Sequence, residues 1–452
     1  MVSNISLGWI RIGSRRADWC KINPENQEFL DSKITSFSGF IFGITVTFRR
    51  IMARFIESAI SALKKIEMFN FTLEHSDGFA RAGCIKTSHG EIRTPVFMPV
   101  ATQGSVKALD RIDLECLGTQ IILGNAYHLY LRPGSKTIKE LGGLHSFMNW
   151  NKPILTDSGG FQGFSLQHLR KITDDGITFK SHIDGSTHEL TPESVVEIQT
   201  NIGSDVIMPL DVCLPTEASK TDLSEAMDLT SSWLGRSLQS LDGKSDQSLF
   251  GIVQGGLHTD LRQKSADFLS SLDLPGYAIG GLSVGEKKEK MYPIVEITSQ
   301  MLPTSKPRYL MGVGSPEDLV ECVVRGIDMF DCVLPTRVAR KGAMYTKFGR
   351  RNVTRSEYKR NDSSFDTDCD CYACINFSAG YIHHLFKAKE YLAYRLASIH
   401  NLRFLMQIMA ELRKAIQQGL INQYRETFWE NYQPSDQSAR TKQASRQIKQ
   451  FK

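Results

Sequence analysis

Long apolar runs are missing from this 452-residue sequence. No stretch approaches the ~18 uninterrupted apolar residues of a membrane-crossing helix. The nearest, Gly39 to Thr47, runs into Arg49–Arg50 and lacks the small-residue cleavage site of a signal peptide. A strong charge of either sign is also missing. The 54 basic and 49 acidic residues leave +5, which is compatible with a nucleic-acid partner but does not demand one. Nine cysteines occur, yet they make no disulfide framework. Six are scattered, and three fall within six residues at Cys369, Cys371 and Cys374, a clustering suited to metal ligation in a reducing, cytoplasmic setting.

From about Phe69 short apolar runs recur at 95–100, 120–123, 153–156, 205–210, 248–253, 277–280, 308–311 and 327–330. Helical periodicity fills most gaps, at 192–202, 223–241, 259–272, 287–301 and 316–325. Eight strands alternating with helices predict an α/β fold, a (β/α)8 TIM barrel. The competitor, a doubly wound open sheet, normally carries a glycine-rich first turn with dinucleotide spacing, and none is present. Alternation of Ile177, Phe179, Ser181 and Ile183 before Asp184–Gly185 predicts an inserted β-hairpin over 174–189.

Strand and turn are expected over 343–358, and one long helix over 382–418. Four regions result: an N-terminal extension at 1–68, a TIM-barrel catalytic domain at 69–358, a zinc-binding subdomain with C-terminal helices at 359–432, and a disordered basic tail at 433–452. The extension reads as variable sequence or an overlong start, with Met52 and Met68 as alternative starts; its stretch 49–65 has the pattern of an amphipathic helix, so a membrane-surface helix is the rival. The tail carries five basic residues and almost no large apolar ones, which favours a solvated segment over an RNA contact.

Cys369, Cys371 and Cys374 form C-x-C-x2-C, and His400 follows after a further 25 residues. Thiolates at this spacing wrap one ion in a turn, and a helix-borne histidine can close the tetrahedron. Soft S3N ligation suits one structural Zn2+ per chain, leaving no position for water. His383 and His384 are rival fourth ligands, and free thiols or an iron–sulfur cluster remain as alternatives.

Chemistry on a (β/α)8 barrel collects at the C-terminal strand ends. There the sequence places Asn125 to His128, Asp157 to Gln162, Asp211 and Cys213, Gln254 to Gly256, Gly280 to Glu286, Gly312 to Gly314, and Asp331 with Cys332. A single aspartate after a strand often only caps the next helix. Three aspartates and a glutamine around one mouth, with glycines opening space, instead have the donors and acceptors to read a guanine-like heterocycle. Two carboxylates can divide a glycosyl transfer, one attacking the anomeric carbon and one handling the leaving base's proton. Phosphate binding stays open, while the lack of an obvious Schiff-base lysine at the mouth argues against an aldolase.

The runs TDSGGFQ (156–162), GIVQGG (251–256), IGGLSVGE (279–286), YLMGVG (309–314) and MFDCVLPTR (329–337), with the cysteine cluster and His400, resemble the queuine tRNA-ribosyltransferases over about 69–428. The resemblance implies tRNA-guanine transglycosylation: Asp331 attacks ribose C1′ at the wobble guanosine of a GUN anticodon, and Asp157 serves as general acid/base. It further implies base recognition by Asp211, Gln254, Gly281 and Leu282, stacking by Phe161, packing by Met311, and room left by Gly280. Arg337 and Arg340 are implied tRNA phosphate contacts, zinc orders the subdomain, and the chain is a homodimer without a membrane partner. Cys213 and Val284 match the bacterial pattern, which favours preQ1 over queuine as the base that replaces guanine, whereas Ser283 stands where alanine is common. A noncatalytic RNA-binding or partner subunit is the alternative, although such a partner is expected to lose aspartates that this chain keeps.

Overall fold

The chain before the first barrel strand makes a sheet that the sequence reading did not anticipate. In the computed structural model, which describes residues 69–160, 170–241 and 246–434, β1 (Asn70–Asp77), β2 (Ala80–Thr87) and β3 (Gly90–Thr94) pair antiparallel in that order. Phe71, Ile85 and Ile92 point from this sheet into the barrel's inner core. Because β3 leads directly into the first barrel strand, the sheet closes the N-terminal end of the barrel. The expectations for 1–68, for the tail from 435 onward and for Phe161 lie outside the described residues.

The barrel strands are β4 (Val96–Met98) with β5 (Val100–Ala101), β6 (Ile122–Gly124) and β7 (Ile154–Thr156). An inserted antiparallel sheet follows, made of β8 (Arg170–Ile172), β9 (Ile177–Lys180) and β10 (Thr187–Leu190). The barrel resumes with β11 (Val206–Ile207), β12 (Ser248–Leu249) with β13 (Gly251–Val253), β14 (Tyr277–Ile279), β15 (Arg308–Leu310) and β16 (Met329–Asp331). Breaks at Pro99 and Phe250 let the halves of the first and fifth strands pair with different neighbours. β5 opens the run β5–β6–β7–β11–β12, and β13 opens the run β13–β14–β15–β16–β4. Every pairing in these two runs is parallel, and β16 on β4 closes the ring. All eight expected strands are present, and the fold is the (β/α)8 barrel.

Alternation sorts the strand residues into two cores. Val96, Met98, Leu155, Ile252, Tyr309 and Met329 fill the barrel, whereas Phe97, Ile154, Val253, Tyr277, Leu310 and Phe330 pack beneath the surrounding helices. The helix Pro192–Ile202 has the bounds its sequence predicts for clear local reasons. A Thr191–Ser194 capping box and Pro192 start it, and Gly203 at φ 77° ends it. Trp233 and Arg236 of the helix Lys220–Leu241 donate to the Asp174 carbonyl, which fixes the inserted sheet against the barrel.

After β16 come the short helix Leu334–Ala339 and the hairpin β17 (Ala343–Thr346) and β18 (Gly349–Asn352). The single helix expected over 382–418 is two, Ala379–Ala388 and Tyr391–Gln418. Lys389 breaks it at φ 61°, with the Glu390 N–H bonded back to the Leu385 carbonyl. Arg413 of the second helix donates to the Gly83 and Thr94 carbonyls and pairs with Glu74, so the C-terminal elements return to the N-terminal sheet. Among the described residues no helix is long and apolar enough to cross a membrane.

Candidate active site and zinc centre

Cys371 caps the short helix Tyr372–Asn376, which turns Cys374 back toward it, while His400 reaches the same point from the long helix. The sulfurs of Cys369, Cys371 and Cys374 lie 3.6, 3.6 and 3.3 Å from His400 Nδ1. Tetrahedral zinc, with Zn–S of about 2.3 Å and Zn–N of about 2.0–2.1 Å, needs sulfur–nitrogen edges of about 3.5 Å. The donors therefore fit the ion. His400 Nε2 donates to the Tyr345 carbonyl at 2.6 Å, so Nδ1 presents its lone pair to the thiols. His383, a rival in sequence, is occupied instead with the Val353 carbonyl at 2.9 Å. The four protein ligands make a structural zinc site, which clips the cysteine loop to the helix carrying His400.

A second cluster of metal-ligating types, His89, His145 and Asp205, sits where β11 begins, at the closed end of the barrel. The imidazoles stack face to face, 3.7 Å apart and 15° from parallel, so their in-plane lone pairs do not converge on one ion. The carboxylate already accepts from Ser88 and from the Ile154 N–H. This cluster is a polar staple.

At the open end, Asn125 caps the helix Ala126–Leu131 and donates its amide to Asp157 Oδ2 at 2.6 Å. The Ala126 N–H holds Oδ1 at 2.9 Å, so Asp157 is fixed by the turn that follows β6. Across the mouth, Asp331 ends β16. Its Oδ1 accepts both the Tyr309 hydroxyl, at 2.6 Å, and the Gly312 N–H, at 2.8 Å. Both bonds fall on one oxygen, and Oδ2 receives neither. Burial raises the Asp331 pKa from its ordinary value, and these two bonds oppose the rise. Burial pushes the Tyr309 phenol far above its ordinary value, and the charges of Asp331 and then Asp157 push it further. One phenol thus lies within the fields of both carboxylates.

Beside them Asp211 is buried, accepting from Gln254 Nε2 at 2.9 Å and Ser158 Oγ at 3.4 Å. Burial raises its pKa to about 6. Gly160 is required here, since a Cβ would lie 2.5 Å from Asp211 Oδ1. Gly280 and Gly281, the latter at φ 64°, allow the Gln254 amide to lie against the backbone. Leu282 is buried next in sequence, and Met311 packs against the top of the barrel core. Glu286 accepts from the N–H groups of Ser283 and Val284, which ties down that loop. On the helix after β16, Arg337 is exposed and Arg340 half-buried, and burial, helped by the charge of Arg337, lowers the Arg340 pKa.

Asp157, Asp211, Gln254, Gly280, Gly281, Leu282, Met311 and Asp331 thus follow or end barrel strands, Arg337 and Arg340 lie on the helix after β16, and Cys369, Cys371, Cys374 and His400 form the zinc cluster. Sequence reasoning did not single out Tyr309, which reads as a core aromatic inside a strand, and it gave Asn125 and Glu286 no role of their own.

A family model described as Queuine tRNA-ribosyltransferase matches residues 76–434. A protein of that name from Herpetosiphon aurantiacus is 54% identical over 365 residues, 81% of this chain and 93% of its own length. Its counterpart from Caldanaerobacter subterraneus subsp. tengcongensis is 55% identical over 353 residues, covering 78% and 94%. That from Dictyoglomus turgidum is 53% identical over 363 residues, covering 80% and 94%. With its barrel closed, its cysteine–histidine cluster assembled and the match running through both, the chain belongs to the queuine tRNA-ribosyltransferase family.

Proposed function

We propose that this chain exchanges the guanine at the wobble position of GUN-anticodon tRNAs for a 7-deazaguanine base by double displacement. The observation that carries the reading is the placement of Asp331 and Asp157 around Tyr309. In this mechanism Asp331 Oδ2 attacks C1′, the C1′–N9 bonding pair leaves with guanine, and Asp157 in its acid form delivers the proton. The incoming base gives its proton to Asp157 and attacks the same carbon, releasing Asp331. Two inversions retain the β-glycoside, and no nucleotide triphosphate is consumed because one N-glycoside replaces another.

Asp211 and the Gln254 amide read the base edge together with backbone groups at Gly281 and Leu282. Gly280 leaves space beside that edge, and Met311 packs below. Arg337 and Arg340 hold anticodon phosphates, a contact that positions the tRNA without reading its sequence. The wobble nucleotide leaves its stack to reach the cleft. Val284 and Cys213 favour preQ1 as the incoming base, and the active species is a cytoplasmic homodimer. Zinc supplies order to the C-terminal subdomain and takes no part in the chemistry.

The test offers the protein labelled guanine and a folded GUN-anticodon tRNA. Label should enter the wobble position, and Asp331→Ala should abolish both incorporation and a denaturation-resistant protein–tRNA adduct while folding and zinc content persist. Wild-type protein that gives neither product refutes the reading.

A further inference from the structure

Arg262, in the first turn of the helix Thr259–Ser270, is wholly buried. A buried arginine ordinarily faces a carboxylate. This one spends its bonds on backbone carbonyls instead. Nε donates to Gly256 at 2.9 Å, and Nη1 donates to Val253 at 2.9 Å and Gly280 at 2.8 Å. Its Nη2 is buried and has no acceptor among the described residues. Burial lowers the guanidinium pKa to about 10, so it remains charged at neutral pH. A full positive charge therefore lies beneath the base-reading residues; among the described residues no carboxylate pairs with it directly, and Glu286 acts on it only through its field.

The three carbonyls frame the candidate base pocket. Val253 and Gly256 bracket Gln254, and Gly280 belongs to the same peptide unit as the Gly281 N–H. In a trans peptide the C=O and N–H point in opposite directions. Anchoring the Gly280 oxygen on Arg262 therefore aims the Gly281 N–H away from the guanidinium. That N–H has no backbone acceptor among the described residues. It lies beside the Gln254 amide, whose Oε1 would be 2.7 Å from a Cβ at Gly281. A cation on the carbonyl also polarises the peptide and makes its N–H a stronger donor.

We propose that Arg262 is a positioning residue for base departure, holding and polarising the Gly280–Gly281 peptide so that its N–H stabilises negative charge on the purine carbonyl oxygen. The inference rests on the transglycosylase reading above. As Asp331 Oδ2 bonds to C1′, the C1′–N9 pair moves onto the base and spreads to its exocyclic oxygen until Asp157 delivers a proton. The charge exists only while the bond is breaking, so the interaction strengthens in the transition state.

Single-turnover exchange in Arg262→Gln and Arg262→Lys tests this, using tRNA that carries either guanine or 8-azaguanine at the wobble position. 8-Azaguanine is the more acidic base and needs less help in leaving. Gln keeps a donor but removes the charge, and its rate with guanine should fall about 100-fold, the scale of losing one preorganised donor, with the KM for tRNA unchanged. Lys should retain more activity than Gln, and 8-azaguanine should recover most of either loss. Melting temperature and zinc content identify a folding defect, and if Gln fails to fold, the Lys variant with the two bases decides. Equal losses for both bases, a loss confined to KM, or no loss overturns the proposal while the transglycosylase reading stands. A wild-type chain that exchanges neither base removes that reading and this proposal together.

Discussion

Replacing Tyr309 with phenylalanine removes one hydroxyl and leaves the ring in the barrel core. The lost bond is a 2.6 Å contact to a carboxylate, made by a side chain only 1% exposed. Hydrogen bonds to charged groups contribute roughly 1.5–3 kcal/mol, which at about 1.4 kcal/mol per unit corresponds to a pKa change of about 1–2 units. The sign follows from the site. Burial already raises the Asp331 pKa, and the Tyr309 bond is one of two influences that lower it, so deleting it raises the pKa further. Only the ionised carboxylate attacks C1′, and the acidic limb of the rate profile should therefore move about 1–2 units toward neutral pH. The loss should be about tenfold or more on that limb and shrink above it. The assay is single-turnover exchange at saturating labelled guanine across the pH range, with melting temperature measured in parallel. An unmoved acidic limb, or a loss of the same size at every pH, would refute the argument that this phenol sets the ionisation of the nucleophile.

Cys371→Ser should take bound zinc from about one per chain to near zero by elemental analysis and lower the melting temperature, because a closed S3N site loses a thiolate. Gly160→Ala places a Cβ against Asp211 Oδ1 and its carbonyl oxygen; the KM for guanine should rise at least ~10-fold, and chemical denaturation should show a loss of about 1–3 kcal/mol. Asp211 has a pKa raised to about 6, so its acceptor charge is present above that pH and lost as pH falls through it. Guanine affinity, measured by equilibrium binding, should weaken on that descent, and Asp211→Asn should bind more weakly at neutral pH and lose the dependence.

The barrel was legible because its strands are short apolar runs between glycine and proline, and because helix ends such as Thr191–Pro192 and Gly203 are written in residue types with one local meaning. The sheet β1–β3 was not. β1 buries only Phe71 along its length, so it offers no clear alternation, and although it pairs with the adjacent β2, the side chain it buries packs on the barrel core. The helix break at Lys389 escaped because lysine seldom takes a left-handed conformation and signals none. In the site, the aspartates and Gln254 could be read because polar groups at strand ends contradict a core. Arg262 could not, since arginine on an amphipathic helix normally means a solvated face. His400 was already preferred over His383 in the sequence, and the fold supplies the reason: tertiary contacts give His383 to a carbonyl and His400 to the thiols.

The grip of Arg413 on the carbonyls of Gly83 and Thr94, with the Ile421 N–H on the Asp77 carboxylate, has a consequence for biosynthesis. The ribosome releases β1–β3 and β4 more than 200 residues before their partners β16 and the Tyr391–Gln418 helix. During most of translation the nascent chain therefore presents unpaired strand edges and apolar side chains that no later neighbour has yet covered, the kind of surface that chaperones bind. A premature stop before codon 413 would leave that surface uncovered for good and mark the product for proteolysis.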